Sequence, residues 1–97
     1  MQNIDVVKHA RNKGHILEIL KADYPNAIDF MVLRRCLSLN GVNLIEKELS
    51  GYLKYLANEG YISYKTDNNG SILYVELANK GHNLLDGYIT DETIILG

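Results

Sequence analysis

From Asn43 to about Glu59, apolar residues recur at helical spacing. Over 61–66 and 71–76 the pattern switches to alternation, rich in Tyr, Ile and Val, and over about 79–86 it returns to helical spacing. A period of 3.6 marks a helix and a period of 2 marks a half-buried strand. The stretch therefore predicts a helix, a hairpin and a second, shorter helix. Gly60 is placed to stop the first helix, and Asp67-Asn-Asn-Gly70 can turn the chain because Asn and Gly accept positive φ.

Upstream, residues 5–23 read as a first helix. Its apolar positions form two stripes, Val6, Val7 and Ala10 against Ile16, Leu17 and Leu20, rotated from one another. With Asn12 and Gly14 between them, a break or a loosely held start near 12–14 is expected, since glycine weakens a helix interior. Pro25 ends this element, and Ala27–Ile28 is a candidate strand stub. Asp29 is the expected N-cap of a second helix over 30–39, whose Phe30, Leu33, Cys36 and Leu37 should face the core. Asn40-Gly41 ends it, and a short connection leads to the third helix, where Asn43 and Glu46 have the spacing of a capping box.

The predicted order gives an α+β chain, mainly α: a winged helix-turn-helix with a three-helix core, a two-stranded wing and a C-terminal helix. All of 1–97 is expected to form one domain, with its core over about 14–87 and a tail over 88–97. An apolar fraction of 46% excludes a disordered chain, and no apolar run is long enough to span a membrane. A lone cysteine, Cys36, and the lack of an apolar leader point to the cytoplasm. Net charge is −2, divided into +2 over residues 1–54 and −4 over 55–97, so a polyanion would meet the first half.

On the third helix, Ile45, Leu49, Tyr52, Leu53 and Leu56 project to one side and are expected to be buried. Lys47, Gly51, Lys54 and Asn58 fall opposite, with Ser50 beside them, while Glu46, Glu48 and Glu59 point to the flanks. Two lysines can meet phosphates, Ser50 and Asn58 can hydrogen-bond, and Gly51 permits close approach. Such a face suits the major groove, where base edges are distinguishable. It also suits plain solvation, because polar outer faces are normal.

Two segments resemble the small bacterial and phage winged-helix regulators. Leu53-Lys-Tyr-Leu-Ala-Asn-Glu-Gly-Tyr-Ile62 is similar to a recognition helix entering a wing strand, and Leu73-Tyr-Val-Glu-Leu-Ala-Asn-Lys-Gly81 to a second wing strand entering the last helix. The likeness covers about 14–87. Tyr24-Pro-Asn-Ala and the tail Gly87-Tyr-Ile-Thr-Asp-Glu-Thr-Ile resemble, more narrowly, winged-helix proteins of Mu-like prophages. The resemblance implies DNA binding through the third helix and the wing, often by dimers, although some members have turned to protein contacts. Two features depart from the pattern. Ala78 stands where a capping Thr is usual, leaving Asn79 to cap, and the wing tip Thr66–Ser71 carries no Arg or Lys.

The expected function is double-stranded DNA binding as a transcriptional regulator, with Lys47, Ser50, Gly51, Lys54 and Asn58 on the third helix and Arg34, Arg35 and Lys65 positioning the domain. Pairing of two copies would use helix 1 and the apolar tail. Lys8, Arg11 and His15, with Lys13 nearby, form either a phosphate-contacting arm or a solvated face. Tyr55 can contact a sugar or pack. His9, His15, His82 and Cys36 lack metal-site spacing, and no catalytic motif is present, so neither metal, cofactor nor enzymatic activity is expected. The alternative is a protein-interaction module or phage accessory protein without DNA binding.

Overall fold

Helix α1 spans Ile4–Ala22 in a computed structural model that describes residues 3–97. Asn3 caps it, its side-chain oxygen accepting the Asp5 N–H at 2.9 Å. The helix is continuous, so the break expected near 12–14 is absent. Gly14 is buried, and a Cβ there would overlap the carbonyl oxygen of Ile95. The glycine marks where the C-terminal tail lies against α1. Ile16, Leu17 and Leu20 fill the core, Ala10 is buried toward the tail, and Val6 stays exposed.

A two-residue strand, β1 (Ile28–Asp29), follows, one residue later than the expected stub. Asp29 caps α2 (Phe30–Leu39), accepting from the N–H groups of Met31 and Val32 at 2.9 and 3.2 Å. Phe30, Leu33 and Leu37 are buried, whereas Cys36 is only half-buried and does not belong to the core. Gly41 takes a φ of 82° in the turn that follows. Helix α3 runs Glu46–Asn58. Ile45, not Asn43, stands at its N-cap, and the N–H of Ile45 donates to Glu48 Oε1 (3.1 Å). Asn43 is engaged elsewhere, accepting from Ser38 Oγ at 2.8 Å. This places Ile45 outside the core at 58% exposure and leaves Leu49, Leu53 and Leu56 as the buried face, with Tyr52 half-buried.

Strands β2 (Ile62–Thr66) and β3 (Ile72–Leu77) pair antiparallel, and β1 pairs with the other edge of β3, giving a sheet in the order β1-β3-β2. Simple alternation fails in β3. Lys65 faces Tyr74 but Thr66 faces Ile72, so Leu73 is an extra residue on its strand. Such a bulge shifts the side-chain alternation by one. Ile72, Val75 and Leu77 consequently face the core while Leu73 and Tyr74 are exposed. At the hairpin, Asp67 Oδ1 accepts from the N–H groups of Asn69 and Ser71 (2.8 and 3.0 Å), and Gly70 has a φ of 83°.

Helix α4 (Asn79–Leu85) starts at Ala78 without a side-chain cap. Asn79 does not supply one, since its Oδ1 accepts from the Tyr24 hydroxyl (3.2 Å). Lys80 reaches back to donate to the carbonyl of Glu59 at 2.7 Å and lies over the Tyr61 ring. A cation at the carboxyl end of a helix is favourable to its dipole, so this contact secures the end of α3. The chain is thus α+β and mainly helical, with four helices and a three-stranded antiparallel sheet around one apolar cluster. No helix among the described residues is long and apolar enough to cross a membrane.

The tail is strapped along α1. Ile94 is buried, the Ile95 N–H donates to the Ala10 carbonyl, Arg11 donates to the Ile95 carbonyl (both 3.0 Å), and the Gly97 N–H reaches Glu18 (3.1 Å). Asp91 anchors its start, accepting from the Tyr61 hydroxyl (2.6 Å) and from the N–H and hydroxyl of Thr93 (2.8 and 2.6 Å). Burial pushes the Asp91 carboxyl up, but the bonds from Thr93 and Tyr61 outweigh it and hold the group below the ordinary carboxylate range. Burial, then the Asp91 bond, pushes the Tyr61 phenol far above its usual range. A carboxyl with a lowered folded-state pKa stabilises the fold above its unfolded pKa, about 3.9, and loses that contribution as pH falls through the folded value. Asp91→Asn is expected to cost about 1 kcal/mol at neutral pH. It should also flatten, without abolishing, the loss of stability in acid. Asp86, lowered by its hydrogen bond from Lys21, titrates in the same direction and remains. Urea unfolding of both proteins at neutral pH and below the carboxylate range is the check.

Candidate functional site

Burying Leu49, Leu53 and Leu56 forces the opposite side of α3 outward. Lys47, Gly51, Lys54 and Asn58 are all exposed there, and Ser50 is half-buried at the margin. Nothing lies within 4 Å of a Cβ built on Gly51, so neighbouring packing does not account for a glycine at this position. Glu46 and Glu48 of the helix and Glu59 at its C-cap each have a partner. Glu46 pairs with Arg34 (3.8 Å), Glu48 receives the Ile45 N–H, and Glu59 accepts from the Tyr55 hydroxyl at 3.5 Å. Among the described residues, neither Lys47 nor Lys54 has a carboxylate within 4.0 Å. The outward strip of α3 is therefore cationic and polar in a chain whose net charge is −2.

The two arginines of α2 differ. Arg34 is half-buried, and its Nε donates to the Leu44 carbonyl at 2.7 Å in addition to the Glu46 contact. It ties α2 to the connection that leads into α3. Arg35 is exposed. Both line a cleft of about 380 Å³ with Ser38, Asn43, Leu44 and Ile45. Lys65 is exposed on β2, opposite Tyr74.

The first helix is also divided in its use. Arg11 bridges Glu18 (3.0 Å) and donates to the tail at Ile95. Lys13 lies 4.5 Å from the centroid of the Tyr55 ring on α3. Asn12 donates to the Tyr52 hydroxyl (3.1 Å), which also contacts Nδ1 of His9. Periodicity assigned Tyr52 to the core. Its hydroxyl is the signal that it would stop halfway, because a buried phenol needs a polar partner.

Among the described residues, no three His, Cys, Asp or Glu side chains gather to hold a metal ion. His82 instead pairs with Asp86 at 3.0 Å. Set against known proteins, the chain matches no family model, no curated protein and no solved structure.

Proposed function

We propose that this chain is a winged helix-turn-helix protein that binds double-stranded DNA as a regulator, laying α3 in the major groove. The observation that carries the reading is the outward strip of α3. It is exposed and lysine-bearing, and among the described residues neither lysine has a carboxylate within 4.0 Å. The order of helices and strands supports it, since a helix-turn-helix presents its second helix to the groove. Lys47 and Lys54 contact phosphates, Asn58 reads a base edge, and Gly51 lets the helix backbone approach. Arg35 and Lys65 add phosphate contacts, and Ser50, half-buried, contributes less.

Two copies on two half-sites would strengthen binding by one helix each. Part of the apolar surface of the tail and α1 is occupied within the chain, and the surface left for pairing is carried chiefly by Ile4, Val6 and Tyr88, at 74%, 63% and 79% exposure, with Ile95 and Leu96 exposed to a lesser degree.

Fluorescence-anisotropy titration of random duplex DNA across a salt series tests the reading. Each neutralised phosphate contributes a slope of about −0.9 in log K against log salt, so four cations per chain predict about −3 to −4. Undetectable binding at low salt would reject it. The second reading, a protein-interaction module, would then stand on the wing tip without cations and on the exposed Met31, Val32, Leu39 and Ile45.

A further inference from the structure

Beside the outward strip, between α1 and α3, lies a second cleft of about 360 Å³. Gly51 lies along it, and the rings of Tyr52 and Tyr55 flank it with His9. Lys13 and Lys47 stand at its rim against a single carboxylate, that of Glu48, which already receives the Ile45 N–H. Among the described residues, neither lysine has a carboxylate within 4.0 Å. Lys13 lies over the Tyr55 ring, and Tyr52 contacts Asn12 and His9, so both aromatic walls have partners within the chain.

We propose that this cleft binds a planar aromatic molecule carrying one anionic group. Aromatic walls favour a flat ring, which can stack on Tyr55 or meet Tyr52 edge-on. Two lysines with no carboxylate within 4.0 Å favour a carboxylate or phosphate, to which each can give a charge-assisted hydrogen bond. The volume is at the small end for ligand sites and suits one or two fused rings. Gly51 is the residue that keeps it open. Lys47 also belongs to the strip assigned to DNA, so an occupied cleft would withdraw one cation from that strip. This last consequence rests on the DNA reading, whereas the site itself does not.

The test uses 2-naphthoate and the whole isotope-labelled chain, without DNA, following the amide resonances of Gly51 and its neighbours. Saturable shifts centred on Gly51, Tyr52 and Tyr55 are expected, with a dissociation constant on the order of 1 mM or tighter. Cyclohexanecarboxylate, which lacks the flat ring, and 2-naphthalenemethanol, which lacks the charge, should each bind at least about tenfold more weakly. Gly51→Leu puts a side chain into open space and should fold at least as well while losing the site. Lys13→Met should weaken the anion but not the neutral alcohol. Shifts that do not saturate, equal binding of the uncharged alcohol, or unchanged binding by the folded Gly51→Leu variant would each overturn the proposal. Because DNA is absent, failure here leaves the DNA reading standing, and failure of the salt titration leaves this site standing.

Discussion

Replacing Gly81 with alanine is expected to lower stability by about 3 kcal/mol, seen as a fall in Tm of about 15 °C. A Cβ at this position would overlap the carbonyl oxygen of Tyr61 and lie 2.6 Å from Leu77 Cδ1. Neither neighbour can retreat cheaply. The Tyr61 carbonyl accepts the Ala78 N–H at 3.0 Å, which ties β2 to the entry of α4, and Leu77 is buried in the sheet. To make room, α4 must move off the sheet, disturbing the buried Leu84 and the Lys80 contact with the end of α3. Gly14→Ala should also destabilise, by about 1–3 kcal/mol, because its Cβ would meet the Ile95 carbonyl and displacing the tail gives up the Ile95–Ala10 and Arg11–Ile95 hydrogen bonds. Gly51→Ala should do the reverse and stabilise by up to about 1 kcal/mol, since its Cβ meets nothing and alanine is the better helix former. Thermal unfolding of the three variants side by side decides the matter. A destabilised Gly51→Ala would contradict the open surface on which the DNA strip and the adjacent cleft both depend.

The three glycines also show what could be read from the chain. Local chemistry was legible: Asp29 as a cap, Gly60 as a stop at a φ of 84°, and Asp67–Gly70 as the turn all act through neighbours in sequence. Contacts between distant segments were not. Gly14 resembled a helix break because glycine weakens helices, yet its cause lies 81 residues away in the tail, at Ile95. Asn43 had the right spacing to cap α3, but Ser38 competes for its side chain and the helix starts later. The bulge at Leu73 came from pairing with β2, which no pattern within β3 specifies. The same division holds at the candidate site. Lys47, Gly51, Lys54 and Asn58 follow from helical periodicity once the leucine face is known. The engagement of Arg34 with Leu44, of Arg11 with the tail and of Lys13 with Tyr55 depends on how the helices are arranged. That arrangement narrowed the cations available to a partner and exposed a cleft that spacing alone did not indicate.

Reversing both lysines of the strip, Lys47→Glu with Lys54→Glu, is expected to reduce affinity for duplex DNA by at least about 100-fold at moderate salt. Removing two phosphate contacts and adding two repulsions is worth about 3 kcal/mol or more, and each 1.4 kcal/mol is a factor of ten. The salt dependence should shrink by about one unit of slope per lysine, a signature that separates lost phosphate contacts from a disturbed fold. Stability should stay within about 0.5 kcal/mol of the parent, because both side chains are exposed and neither has a carboxylate partner to lose. Arg34→Ala is the informative contrast. It releases the Leu44 carbonyl and Glu46 and should therefore lower stability more than it changes the salt slope. If the double reversal leaves both affinity and slope unchanged, α3 does not face the DNA. If it lowers stability as well as affinity, the two lysines hold the fold and the strip is not a binding surface.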